Sequence, residues 1–191
     1  SKFFEFMTSI KTAVILLGEY NPLITVCGEP IITRHILRCK TFGIEKIFIL
    51  GHFTPEVLDY LKFTHSTVDQ SIVFQYKESP WQTVNNEKIG DSALFISCEH
   101  FTDIQFLEKI LMLTPEDDSV LMIGDTDANE ISTVRPRILL TKTGHPVDLI
   151  ERAKGEAVWM GLAIAGQKVL SQLSQRKGEI SPITIKQTNM I

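Results

Sequence analysis

Two apolar runs, each closed by a glycine, constrain this chain more than any other feature. Residues 13–17 (AVILL) run into Gly18, and residues 46–50 (KIFIL) run into Gly51. A run that is apolar at nearly every position, with no polar alternation, suits a strand covered on both faces, as in a parallel sheet. Between the runs, Ile31, Ile32, His35, Ile36 and Cys39 recur at helical spacing, with Pro30 at the start and Gly43 past the end. After the second run, Thr54, Pro55 and Glu56 supply a hydroxyl cap, a first-turn proline and a first-turn acid. Val57, Leu58 and Leu61 give that helix an apolar face, and residues 71–76 read as a third strand. Strands alternating with helices predict an α/β, Rossmann-like fold: a mostly parallel, twisted sheet with helices on both faces and residues 13–17 at its centre.

Downstream, residues 77–91 are polar and aperiodic, and residues 93–97 form another strand. Asp103 opens a helix expected to turn Phe106, Leu107, Ile110 and Leu111 inward. Residues 119–123 read as a strand, and residues 138–141 and 147–150 as a hairpin. Residues 158–165 form a further strand, and residues 168–175 a helix with Val169, Leu170 and Leu173 inward. No internal repeat or linker interrupts the pattern, so residues 1–191 are expected to form one domain.

Composition narrows the function. Hydrophobic residues make up 43% and charged residues 22%, a globular balance. A net charge of −4 offers no basic field for a nucleic-acid backbone. Cys27, Cys39 and Cys98 are odd in number and fit no CxxC spacing, which argues for reduced thiols rather than disulfides or a zinc cage. Glu5 and Lys11 interrupt the apolar N-terminal stretch, so it does not read as a secretory signal. The apolar runs fall far short of the ~20 residues needed to span a bilayer. A soluble, cytoplasmic protein is the expectation.

In open parallel sheets, ligands bind beyond the carboxyl ends of the strands, where strand order reverses. No GxGxxG follows the first strand, which removes a dinucleotide-dependent oxidoreductase. The punctuation from 13 to 51 instead resembles that of the sugar-phosphate nucleotidyltransferases, most of all the inositol-1-phosphate cytidylyltransferase branch. Leu16, Leu17 and Gly18 match the end of that family's first strand. Tyr20-Asn21-Pro22-Leu23 aligns with its Pro-Lys-Pro-Leu run, Gly28-Glu29-Pro30-Ile31 with its Gly-x-Pro turn, and Gly43-Ile44 with the approach to its second strand. Further on, Gly90-Asp91-Ser92 looks like its Gly-x-Ser segment, Glu99-His100 like its metal-binding Asp-His, and residues 158–161 like a later Asp-Thr-Gly strand.

The resemblance implies an NTP, CTP first among them, joined to a polyol or sugar phosphate with release of pyrophosphate. It implies nucleotide contacts from Leu16, Leu17, Gly18, Gly90 and Ser92, a substrate contact from His100, and Mg²⁺ held by Glu99. It also leaves room for a homodimer and for a further domain, fused or associated, beyond Ile191. Four departures keep a second reading open, that of a degenerate relative serving as a nucleotide-sensing or regulatory subunit. Glu19 alone stands between Gly18 and Tyr20, where the family has a glycine-rich stretch with a basic residue that cradles the triphosphate. Asn21 takes the place of the catalytic lysine and cannot supply its charge. Met160 replaces an acid, and no helix fits between Leu94 and Phe95.

The local chemistry leaves other readings beside these. Gly18 also reads as a plain strand-ending turn, Glu99 as a solvated cap before the helix at Asp103, and His100 as structural. Gly90 and Ser92 fit ordinary loop chemistry. Asp125 and Asp127 read most simply as a polar loop after a strand, and Arg135 and Arg137 as solvent-facing charges.

Overall fold

Strand β1 (Thr12–Leu16) lies between two parallel neighbours, β4 (Lys46–Gly51) and β6 (Ser92–Ser97). Its residues are apolar at successive positions because both faces of the sheet are covered. Ala13, Ile15, Ile47, Ile49, Leu94 and Ile96 face one side, Val14, Phe48, Leu50 and Phe95 the other, and all are buried. The computed structural model describes residues 8–18, 20–51, 53–66, 72–76, 92–113, 119–125, 137–140, 146–150, 157–168, 170 and 187–190.

From one edge the sheet runs β5 (Ile72–Tyr76), β4, β1, β6, β10 (Ala157–Gly166), β7 (Ser119–Asp125) and β11 (Gln187–Met190). The pairs β5–β4, β4–β1, β1–β6 and β7–β11 are parallel, and β10 runs against both β6 and β7. The hairpin β8 (Arg137–Leu140) and β9 (Pro146–Ile150) joins through β8 to β10. The fold is thus the expected α/β architecture with a mostly parallel sheet. The strand at Gln187–Met190 is one that the sequence pattern does not announce, because Gln, Thr and Asn carry no apolar signature.

The helices begin and end where their punctuation says. α1 (Ile31–Thr41) stops at Gly43, whose φ of 82° lets its N–H reach Lys40 and the Ile44 N–H reach Cys39, both at 3.0 Å. That pair of bonds is a Schellman closure. α2 (Pro55–Leu61) is capped by Thr54, which accepts from the Val57 N–H, and it continues as a π-helical turn over Lys62–Ser66. That turn brings His65 into a buried contact with Thr33, which also bonds Tyr60 at 2.6 Å. α3 (Ile104–Leu111) is capped by Asp103. Leu107, Ile110 and Leu111 turn inward as expected, but Phe106 is 45% exposed, because it lies at the edge of that stripe, about 40° outside Ile110 and about 100° from Leu107. Residues 167, 168 and 170 are helical and Leu170 is buried; Val169 and Leu173 lie outside the described residues. Helices α1, α2 and α3 all contribute to one core with the first face of the sheet.

A two-residue hairpin precedes α1. β2 (Thr25–Val26) pairs with β3 (Glu29–Pro30) around Cys27 and Gly28, both at positive φ. This is a type I′ geometry, and Gly28 suits it. Among the described residues no helix is long and apolar enough to cross a membrane.

Candidate functional site

The carboxyl end of β1 is laced to both its neighbours, β6 and β4, past its last residue. The Cys98 N–H donates to the Leu16 carbonyl at 2.8 Å, and the Leu17 N–H donates to the Leu50 carbonyl at 2.9 Å. Leu17 is thereby fixed in the core, and the chain emerges at Gly18 with φ 69°. A side chain there is excluded twice. The left-handed backbone disfavours it, and a Cβ would lie 2.5 Å from Cγ of Glu99 and 2.6 Å from its Cδ. The close approach that Gly18 permits is therefore made by the Glu99 side chain.

Glu99 sits on a tight turn after β6. Its N–H donates to the Ser97 hydroxyl at 3.2 Å, and the His100 N–H reaches the Ser97 carbonyl at 3.3 Å. His100 is buried against Gly161, where a Cβ would come within 2.7 Å of the His100 Cβ and 2.9 Å of its imidazole. Gly161 has φ 84° and lies where β10 slips register against β7, between Trp159 and Ala163. A bulge of this kind bends a strand locally, and here the bent strand makes room for His100. Met160, beside it, packs on the core rather than standing as an acid would.

The same turn is held from α1. His35 Nε2 lies 3.1 Å from the His100 carbonyl, and Arg38 donates to the Thr102 carbonyl at 2.6 Å. Burial pulls the pKa of His35 down from 6.5 to about 4, although the hydrogen bond to His100 opposes the shift. The ring is therefore neutral near pH 7, with Nε2–H as the donor. The Arg38 guanidinium also lies over the Phe101 ring, 4.1 Å from its centroid. Burial lowers the Arg38 pKa, and neighbouring Arg34 lowers it further. Sequence reasoning missed both residues. The available signal was a histidine on the inward stripe of an apolar helix, since a buried polar side chain requires a partner.

An open cleft of about 790 Å³ lies between the end of β1 and the start of α2, lined by Leu17, Gly18, Tyr20, Asn21, Pro22 and residues 54–57. The described lining holds no lysine or arginine, and Glu56 is its one charged residue. Asn21 spends its side-chain oxygen locally, accepting from the Leu23 N–H at 3.0 Å. At the N-terminus of α1, where such a fold can hold a phosphate, the first two N–H groups are already bonded within the chain. Ile31 donates to the Ile24 carbonyl at 2.9 Å and Ile32 to that of Pro22 at 3.2 Å.

The structure brings Leu17, Gly18 and Asn21 to this cleft, and Glu99 and His100 to the turn beside Gly18. It does not bring Ser92 there. Ala13 pairs with Leu94 and Leu16 with Ser97, so β6 runs with β1 and Ser92 stands at its amino end. At ~3.3 Å per residue that is roughly 16 Å from Ser97. The expected nucleotide contact from Ser92 is therefore corrected: the segment that looked like a Gly-x-Ser loop ends as the first residue of a strand. β6 is also unbroken from Ser92 to Ser97, so no helix separates Leu94 from Phe95. Gly90, Glu19, Asp127 and Arg135 lie outside the described residues. Asp125 and Arg137 end and begin β7 and β8.

Solved structures share this architecture over most of its length. HddC from Yersinia pseudotuberculosis superposes with a TM-score of 0.64 at 12% identity, over 95% of this chain and 90% of that one. The inositol-1-phosphate CTP transferase from T. maritima gives 0.62 at 10% identity, over 87% of this chain and 74% of its own. A putative glucose-1-phosphate thymidylyltransferase from Bacillus anthracis gives 0.63 at 14%, over 87% and 76%. This chain has the nucleotide-diphospho-sugar transferase fold. No family model and no curated protein matches its sequence. Within the nucleotidyltransferase fold, Gly18 and Glu99 occupy adjacent strand ends at the centre of the sheet.

Proposed function

We propose that the chain is a nucleotidyltransferase joining a nucleoside triphosphate to a polyol or sugar phosphate. The observation that carries the reading is the Glu99 carboxylate set against Gly18 at the carboxyl ends of two neighbouring central strands. In the reaction, an oxygen of the acceptor phosphate forms a bond to the α-phosphorus. The bond from that phosphorus to the bridging oxygen breaks, and pyrophosphate leaves with the electron pair. The protein's part is to align the reactants and stabilise charge.

Mg²⁺ is proposed as the cofactor. Among the described residues, no group of three or more His, Cys, Asp or Glu gathers as a metal cage. One hard carboxylate nonetheless fits an ion that keeps several waters and takes its other ligands from substrate phosphates. Bound there, Mg²⁺ supplies charge neutralisation to the phosphates. Glu99 would hold it, Gly18 would admit the close approach, and His100 would shape the acceptor side. CTP remains the first nucleotide to test, together with inositol 1-phosphate as acceptor. The removal of Ser92 from the site takes away one support for a pyrimidine preference.

A second reading, a relative that binds nucleotide without turning it over, is favoured by the described cleft. It offers no basic side chain, Asn21 is tied into its own turn, and the first two N–H groups of α1 are bonded within the chain. Pyrophosphate release from CTP, GTP, UTP and dTTP, each with Mg²⁺ and with inositol 1-phosphate or glucose 1-phosphate, separates the readings. Glu99-dependent turnover supports the enzyme. Nucleotide binding without any pyrophosphate supports the sensing subunit.

A further inference from the structure

The turn that carries Glu99 is tied to β1 at Cys98, whose N–H bonds the Leu16 carbonyl, and beyond Glu99 its course depends on what grips it. On one side the bulge at Gly161 receives the His100 ring. On the other, α1 reaches two carbonyls two residues apart: His35 that of His100 and Arg38 that of Thr102. Both α1 residues lie one turn apart on one face, spaced three residues as neighbours on a helix must be. Phe101, between the two gripped carbonyls, is covered by the Arg38 guanidinium, and its ring lies 6.1 Å from that of His35.

We infer that His35 and Arg38 are positioning residues for the Glu99 carboxylate, holding residues 97–103 so that Glu99 stays against Gly18. The inference rests on the reading of Glu99 as the carboxylate that meets the metal–nucleotide complex. Glu99 lies one residue from His100 and three from Thr102, and a carbonyl released from His35 or Arg38 lets the turn shift by more than a metal–oxygen contact tolerates. α1 itself is anchored by Ile32, Ile36 and Cys39 in the core, so the grip is referenced to the sheet and not to another loop.

The test uses the full chain with Mn²⁺ and CTP as the probe, read by Mn²⁺ electron paramagnetic resonance, with amide exchange of residues 98–102 measured alongside. Wild type should bind Mn²⁺–CTP, and Glu99→Gln should weaken it tenfold or more. His35→Leu should weaken it several-fold and speed exchange in the turn. His35→Gln, which keeps a donor near Nε2, should restore both. Arg38→Lys keeps the charge but loses the flat guanidinium over Phe101, and should also weaken binding several-fold. Each variant is compared where circular dichroism shows it folded, and the two conservative variants keep the test usable if His35→Leu does not fold. If Glu99→Gln weakens binding while His35→Leu, His35→Gln and Arg38→Lys all bind as wild type does, the positioning role is overturned and the Glu99 reading stands. If wild type does not bind Mn²⁺–CTP, or Glu99→Gln changes nothing, the Glu99 reading falls and takes the positioning role with it.

Discussion

Gly18 answers two demands that a single experiment can separate. Its φ of 69° costs any L-residue strain, and its open side is filled by Glu99. Gly18→Ala should therefore destabilise the fold by about 1–3 kcal/mol. In a Glu99→Ala background the steric part disappears and the backbone part remains. A double-mutant cycle by urea unfolding should show a coupling of about 1 kcal/mol; strict additivity would mean that the two residues do not meet. His35 gives a second residue-scale prediction. Its folded pKa of about 4 lies below the ordinary 6.5, so its stabilisation is complete above pH 6.5. As pH falls from 6.5 towards 4, the unfolded chain takes up a proton that the folded chain refuses. Stability should drop by up to about 1.4 kcal/mol per pH unit, on the order of 3 kcal/mol in all. His35→Gln removes this slope, so the stability curves of wild type and variant should converge or cross as pH falls through that window. Parallel curves would refute the assignment.

At the scale of elements, what sequence could say followed from how local each signal was. The runs ending at Gly18 and Gly51, the caps Thr54 and Asp103, and the stop at Gly43 are written in neighbouring residues, and the structure follows them closely. Ser92 was misplaced because a Gly-x-Ser string reads alike in a loop and at the start of a strand; only the β1–β6 register decides. The α1 grip was hidden for a related reason, since His35 and His100 meet across 65 residues. The bulge in β10 is the element on which that grip leans. Gly161→Ala would strain a φ of 84° and press a methyl into His100. We expect a loss of about 1–3 kcal/mol by thermal or urea unfolding, together with a changed His100 ring signal in NMR. A variant as stable as wild type, with an unmoved His100 signal, would show that the bulge does not form as described.

For the whole molecule, the parallel sheet sorts residues into two ends, and that sorting makes the last prediction. Every strand from β5 to β6 points the same way, so their carboxyl ends gather Gly18, the start of α2 and the turn at Glu99. Ser92 lies at the opposite end, beside Gly166 of the antiparallel β10. A charge of −1 on Glu99 acts directly on a metal–phosphate complex bound at its own end. A hydroxyl roughly 16 Å away along the strand has no short-range means to do so. Ser92→Ala should therefore leave the affinity for Mn²⁺–CTP within about twofold of wild type, a change under about 0.5 kcal/mol. Glu99→Gln should lose a charge-assisted contact, worth about 1.5–3 kcal/mol or roughly ten- to a hundredfold in affinity. Isothermal titration of both variants under one buffer reads the contrast. Equal losses from the two substitutions would mean that the nucleotide reaches both ends of β6, and a loss from Ser92→Ala alone would move the binding site to the other end of the sheet.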